Sequence, residues 1–356
     1  MKSETYPKDI KKLLELAKER NASDVHITVG YPPIFRIDGK LVHIGTELIN
    51  PEMAEKLIFP TLAESKRDLL EVNREVDVAF ELEAVARFRI NVYHEKGRLA
   101  AAFRIIPQRI KTLEELNLPK ILRRFTKLNQ GFVLITGPTG HGKTTTLASM
   151  LQEINKNYEK HIITIEDPIE YVYPRAMALV SQREMHEDTH SWEIALRSAM
   201  REDPDVVLVG EMRDFETISS AITLAETGHL VFATLHTNSS SQTIDRIIDT
   251  FPDNQQRQIR TQLASIIEGV ISQRLIPVRT GGRRPVCEVL LSTPAVKNLI
   301  REGKIYQIDN VIRTSLDVGM TSMENSLVQL VREGLISVEQ AEEYAIEPEE
   351  VIRLLR

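Results

Sequence analysis

The sequence predicts an α/β chain in two parts: a smaller α+β domain, then a larger one built on a parallel sheet, with short helices toward the C-terminus. Three observations predict it. Short strand-like segments separated by turn residues fill the N-terminal third. From Gly131 onward, continuous apolar runs alternate with amphipathic helices, as in parallel strands covered on both faces. Between the first of these runs and its helix lies Gly137-Pro138-Thr139-Gly140-His141-Gly142-Lys143-Thr144, a complete phosphate-binding loop.

In the first part, Ile10, Leu13, Leu14 and Ala17 recur at helical spacing, and the pattern stops near Asn21. Strands follow over 24–28 and 34–37, parted by a Pro32-Pro33 turn, then a polar helix near 51–57. Strands over 76–81 and 87–93 lead to a hairpin turn at 94–98 and a strand over 99–106. Proline-punctuated, mostly polar sequence then marks an interdomain linker, so that the first domain is 1–107, the linker 108–119 and the second domain 120–356.

In the second part, strands are expected at 132–136, 162–166, 206–209 and 230–235. Asp214 caps a helix over 215–227 that Gly228 ends, and Asp253 caps a helix running toward Arg274. A helical segment spans about 290–356, with two or three short helices from Met323.

Composition bounds the function. Of 356 residues, 42% are hydrophobic and 27% charged, ordinary for a globular chain. No apolar run approaches the ~20 residues of a membrane-spanning helix, and Met1-Lys2-Ser3-Glu4-Thr5-Tyr6-Pro7 lacks the apolar segment of a secretory signal. Cys287 is the single cysteine, which excludes an internal disulfide and a cysteine-ligated zinc site; it reads as a small packed residue. The net charge of −6 counts against a nucleic-acid partner.

The loop carries the chemistry. Gly137, Gly140 and Gly142 let backbone N–H groups face phosphate oxygens. Lys143 reaches the β- and γ-phosphates, and the Thr144 hydroxyl is placed to ligate Mg²⁺, with Thr145 beside it. The strand leading in and the helix leading out put a helix N-terminus toward the anion. His141 stands where a small polar residue is usual and reads as tolerated, because the loop works through backbone atoms. A second acidic element is expected on a neighbouring strand. Asp205-Val206-Val207-Leu208-Val209-Gly210-Glu211 fits, but Gly210 holds the usual carboxylate position, leaving Glu211 to act on Mg²⁺ through water. Ile165-Glu166-Asp167-Pro168-Ile169-Glu170 supplies further acids at a strand end; a carboxylate of this cluster orients and deprotonates the attacking water, or any single one is a solvated loop residue.

His229 and His236 bracket a strand. Seven extended residues separate them by about 20 Å with opposite faces, so they cannot share one ion. Either at least one contacts the γ-phosphate or both are satisfied structural histidines. In the first part, a Lys96-Gly97 hairpin places Arg89 opposite Arg104, with Arg87 nearby. Like charges so placed are unfavourable unless an anion such as a triphosphate sits between them; otherwise the pair splays into water.

Ala22-Ser23-Asp24-Val25-His26, the phosphate loop, the segment 165–171, Gly210-Glu211-Met212-Arg213-Asp214 and Thr227-Gly228-His229-Leu230-Val231-Phe232 together resemble the secretion-ATPase superfamily, and within it the type IV pilus retraction ATPases. Ala295-Val296-Lys297-Asn298-Leu299-Ile300-Arg301-Glu302 resembles the helix motif of retraction members, departing from its commonest form at Val296 and Lys297. The resemblance spans nearly the whole chain. It implies a PAS-like N-terminal domain, a RecA-like ATPase domain and a homohexameric ring. It implies ATP and Mg²⁺ at the site, first-domain arginines that clamp nucleotide, Glu170 as catalytic base, and functional roles for His229 and His236. It further implies partners among the inner-membrane platform or assembly proteins of the pilus, no nucleic acid, and a place in the cytoplasm at the inner face of the cytoplasmic membrane. Relatives for pilus extension or type II secretion usually carry a cysteine zinc element and extra N-terminal domains, so one cysteine favours retraction. Extension or secretion is the alternative; a RecA-like nucleic-acid motor and a nucleotide-regulated scaffold without turnover are more distant ones.

Overall fold

The computed structural model describes residues 6–37, 39–82, 86–106 and 109–356. Residues 1–5, Pro107 at the expected end of the first domain and Gln108 at the expected start of the linker lie outside the described residues. The chain divides into two compact units, Met1–Arg109 and Ile110–Arg356.

In the first unit, the helix Ile10–Glu19 buries Ile10, Leu13, Leu14 and Ala17, and Asp9 caps it by accepting from Lys12 N–H. Six strands form an antiparallel sheet: β1 (Asp24–Ile27), β2 (Ile34–Ile37), β3 (Lys40–His43), β4 (Glu75–Leu82), β5 (Ala86–Glu95) and β6 (Arg98–Ile106), in the order β3-β2-β1-β6-β5-β4. Apolar residues alternate along β5 and face a core that includes Phe35, Phe88 and Phe103. Lys96 and Gly97 both take positive φ, at 52° and 73°, as a two-residue hairpin turn requires. This fixes the expected register, Glu95 opposite Arg98 and Arg89 opposite Arg104. The helix Glu64–Asn73 and the edge strand β3 were not foreseen. The helix is short of apolar positions, burying only Leu70, and β3 is exposed throughout, so neither leaves a period to read.

The second unit holds β7 (Gly131–Thr136), β8 (His161–Glu166), β9 (Leu179–Glu184), β10 (Val206–Val209), β11 (Leu230–Leu235), β12 (Ile267–Pro277) and β13 (Arg283–Leu291), in the order β13-β12-β7-β11-β10-β8-β9. All neighbours are parallel except β12 and β13. Every residue of β7, β10 and β11 is buried, because helices cover both faces. Asp214 caps Phe215–Glu226 as expected, accepting from Thr217 N–H at 2.8 Å. Three short helices, Met323–Arg332, Val338–Tyr344 and Pro348–Leu355, close the chain.

Two expectations are corrected here. Positions 110–119 are not a free connector: Ile110, Leu113 and Leu118 are buried in the second unit's core, an apolar set that the prolines mask. The helix beginning at Asp253 does not run on to Arg274. It ends at Ile266 and the chain passes directly into β12, while Pro252, not Asp253, stands at the cap position. β12 pairs in parallel with β7 and antiparallel with β13, and this ladder overrides the helical pattern read from sequence.

β12 reaches β7 through an irregularity at Ile267/Gly269. A Cβ at Gly269 would lie 2.4 Å from the Phe125 ring and 2.9 Å from the Leu290 carbonyl. Gly269→Ala is therefore expected to cost the second unit about 1–3 kcal/mol by overpacking, read from the denaturant midpoint of that unit's unfolding. An unchanged midpoint would show that this close packing does not constrain β12.

Candidate functional site

β7, β8, β10 and β11 run parallel, so their C-terminal ends share one edge of the sheet, the edge at which ligands bind in open α/β folds. At the end of β7 the chain enters the phosphate loop, and the helix Lys143–Asn157 leaves it. Gly137 has φ +138° and Gly142 has φ +84°, and both press on Gln273 of β12. A Cβ at Gly137 would lie 2.2 Å from the Gln273 carbonyl oxygen, and one at Gly142 2.9 Å from Gln273 Nε2.

Lys143 is buried. Its ammonium donates to the carbonyls of Gly137 (2.8 Å) and Pro138 (3.0 Å) and lies 3.3 Å from His236 Nδ1. Burial lowers its pKa against the opposing pull of Glu211 and Glu170, which puts both carboxylates within electrostatic reach of the ammonium. An ammonium can only donate, so Nδ1 of His236 accepts and Nε2 carries the ring proton. Nε2 lies 3.0 Å from Glu211 Oε1, and Thr139 Oγ1 lies 3.4 Å from Nδ1. Arg213 closes the group with contacts of 2.8 Å to both Glu211 oxygens. Burial works to raise the Glu211 pKa, but the Arg213 hydrogen bond and the electrostatic pull of His236, Arg213 and Lys143 hold it below the ordinary carboxylate value. Ammonium, imidazole, carboxylate and guanidinium thus form one continuous chain beside the loop.

Gly210 precedes Glu211. A Cβ there would meet the Ile165 carbonyl at 3.0 Å and the Trp192 ring at 3.3 Å. The close approach of β8 and Trp192 therefore disfavours a carboxylate at the position where one is usual. The last residue of β8, Glu166, is buried beside it. Glu166 accepts from Thr164 Oγ1 (2.6 Å), Gln182 Nε2 (3.2 Å) and the Glu170 N–H. Burial outweighs these bonds and pushes its pKa up to about 7. Its carboxyl holds the turn that carries Glu170, while Glu170 itself is half-buried and near Lys143. Thr145 Oγ1 lies 3.0 Å from the Tyr171 hydroxyl, tying the loop helix to the same turn. Thr144 is half-buried at the helix start.

His229 stands apart. Its Nδ1 lies 3.0 Å from Thr227 Oγ1 and from the Leu224 carbonyl, at the start of β11 and so at the opposite edge of the sheet. Within its own unit the His229 ring is tied by Nδ1 to the turn before β11, and of the two histidines only His236 joins the loop.

The arginines lie on the first unit's sheet. Arg89 faces Arg104 as expected, but each has its own carboxylate. Arg104 Nε is 3.0 Å from Asp24 Oδ1, Arg36 Nε 3.9 Å from Asp24 Oδ2, and Arg89 Nε 3.9 Å from Asp77 Oδ1. Arg87 lies across from Glu81. Their mutual repulsion is thus already offset by flanking carboxylates and does not await a bound anion. Sequence reasoning gave no role to Asp24, Asp77, Arg213 or Gln273, although Asp24 and Arg213 lie in segments that carry the family resemblance. Asp24 and Asp77 become legible only once the strand registers are known; Gln273 sits where a helix was expected.

The chain matches the model of the type II/IV secretion system protein family over residues 1–280. It is 46% identical over 341 residues to the type IV pilus retraction ATPase PilT of Pseudomonas aeruginosa, covering 96% of this chain and 99% of that one. It is 47% identical over 310 residues to the twitching motility protein of Neisseria gonorrhoeae, covering 87% and 83%. Among solved structures, the pilus retraction motor PilT with bound ADP superposes with a TM-score of 0.91 at 45% identity, covering 97% of this chain and 99% of its own. The ATPase DotB of Legionella pneumophila superposes with a TM-score of 0.82 at 28% identity, covering 93% and 94%. With a sheet of parallel strands around β7 and an antiparallel N-terminal unit, the chain belongs to the type II/IV secretion system protein family and is a PilT-like, RecA-fold secretion ATPase within it.

Proposed function

We propose that this chain is the ATP-hydrolysing subunit of a homohexameric motor that powers type IV pilus retraction, disassembling pilin to drive twitching motility. The observation that carries the reading is the chain Lys143–His236–Glu211–Arg213 beside the phosphate loop, in a protein similar over nearly its whole length to a pilus retraction ATPase. The units 1–109 and 110–356 act as its two domains, hydrolysis driving one against the other. The ring works at the inner face of the cytoplasmic membrane on the pilus platform or assembly proteins. Among the described residues no helix is long and apolar enough to cross a membrane.

ATP is the substrate. The backbone of 137–144 and the Lys143 ammonium bind its phosphates. His236 bridges Lys143 to Glu211, so a change of charge at the γ-phosphate is felt by both. Glu170 takes the proton of the attacking water, and Glu166 is the positioning residue that fixes its turn. Arg89, Arg104 and Arg87 supply positive charge to the triphosphate from the first unit. No three His, Cys, Asp or Glu cluster as a metal site among the described residues. The Thr144 hydroxyl and, through water, Glu211 still fit Mg²⁺, which prefers a few oxygen donors and keeps much of its water shell. When bound, Mg²⁺ neutralises charge that develops on the phosphate oxygens.

Purified protein should release phosphate from ATP at a rate indifferent to single-stranded DNA; a rate that requires DNA would turn the reading toward a nucleic-acid motor. Glu170→Gln should retain nucleotide affinity and lose about 10²–10⁴-fold in turnover, whereas Lys143→Ala should weaken binding itself. Near-normal turnover in Glu170→Gln would move the base to Glu166 or Glu211.

Arg89→Ala and Arg104→Ala should each lower hydrolysis, and the double variant should be little worse than the poorer single one, as for groups that act as a unit. Both arginines are substantially exposed. The fold should therefore lose no more than about 1 kcal/mol with either, the range of surface ion pairs. Normal hydrolysis in both variants would remove the arginines from the site.

The ring and its direction of work are tested together. ATPase rate per subunit should fall on dilution to monomers, and deletion of the gene in its host should leave surface pili in place while abolishing twitching. Pili that vanish on deletion would make the motor one of extension.

A further inference from the structure

β7 and β12 pair in parallel only as far as Thr136 and Ser272. Beyond that point β7 turns into the phosphate loop while β12 continues to Pro277. The N–H groups of β12 that would have faced β7 therefore meet no strand, and a buried N–H needs a partner. The partner of Leu275 N–H is His141 Nδ1, at 3.1 Å. Gln273 makes a second tie, its Nε2 donating to the His141 carbonyl at 2.8 Å while its Oε1 accepts from Thr146 Oγ1 at 2.7 Å. A third comes from β13, where Arg283 reaches the Gly140 carbonyl at 3.3 Å.

We propose that His141 is a positioning residue for nucleotide binding, its unprotonated imidazole clamping the crown of the phosphate loop to β12. This rests on the reading of 137–144 as the nucleotide loop and goes beyond it, since loop glycines and lysine need no imidazole. The loop binds through backbone N–H groups whose directions must be fixed in advance, and a glycine-rich turn does not fix them alone. The imidazole can accept only while Nδ1 is free of a proton. Three cations face it: Arg274 from β12, Arg283 from β13 and Lys143 from the loop itself. Burial first, then these charges in that order, lower its pKa from the ordinary 6.5. The neutral, accepting form is thus held through neutral pH. As pH falls through the lowered value the ring gains a second donor facing the Leu275 N–H, and the clamp is lost.

Binding of a fluorescent ADP analogue with Mg²⁺ tests the clamp, measured from about pH 8 to about pH 5.5 for wild type, His141→Ala and His141→Asn. At the upper end His141→Ala should bind about three- to tenfold more weakly than wild type, the worth of one net hydrogen bond. Asparagine offers Oδ1 to the same N–H and does not titrate, so His141→Asn should bind more tightly than His141→Ala and lose less affinity toward acid than wild type does. Wild-type affinity in His141→Ala, or parallel pH slopes in wild type and His141→Asn, would overturn the clamp while leaving the nucleotide site standing. Wild-type protein that binds no analogue at any pH would overturn the nucleotide-site reading and the clamp with it.

Discussion

A carbonyl oxygen on β12, that of Gln273, comes so near Gly137 that a Cβ there would sit 2.2 Å from it. The approach is possible because β7 and β12 are bonded neighbours up to that point, and it sets where the loop must leave the sheet. From there the positions of Lys143, at the start of the following helix, and of His236 and Glu211, at the ends of neighbouring strands, are consequences of strand register. This edge is therefore a property of one sheet, and side chains are added to it by the lengths of the strands.

Within that edge, charge is distributed so that no group stands alone. Lys143 would be costly to bury unpaired, and it is held by two loop carbonyls and the His236 ring. Glu211 remains ionised because Arg213 and His236 are at hydrogen-bond distance. Glu166, by contrast, is buried among neutral donors and is pushed toward protonation near pH 7. Neighbouring carboxyl groups with such different environments suit different tasks, one electrostatic and one structural.

Much of this was legible in the sequence where a local rule governs the outcome. The phosphate loop, the buried strands, the Asp214 cap and the Arg89–Arg104 register all follow from periodicity, turn chemistry or cap chemistry within a few residues. What was not legible depends on distant pairing. β12 was hidden because residues 253 to 274 carry helix-compatible sequence, and only the ladder with β7 decides otherwise. The separation of His229 from the loop follows from the direction of β11, which fixes which of two bracketing histidines lies beside the loop. Gln273 carries no motif, and its importance appears only when β12 is set beside the loop.

The ion pair between Arg104 and Asp24 has a further consequence. A guanidinium that already holds a carboxylate does not capture a phosphate from open water; it trades one anion for another. Such an exchange releases about as much charge as it takes up, so its equilibrium responds less to ionic strength than that of bare arginines would. Any anion that Arg104 takes up must therefore compete with a carboxylate fixed on the neighbouring strand of the same sheet.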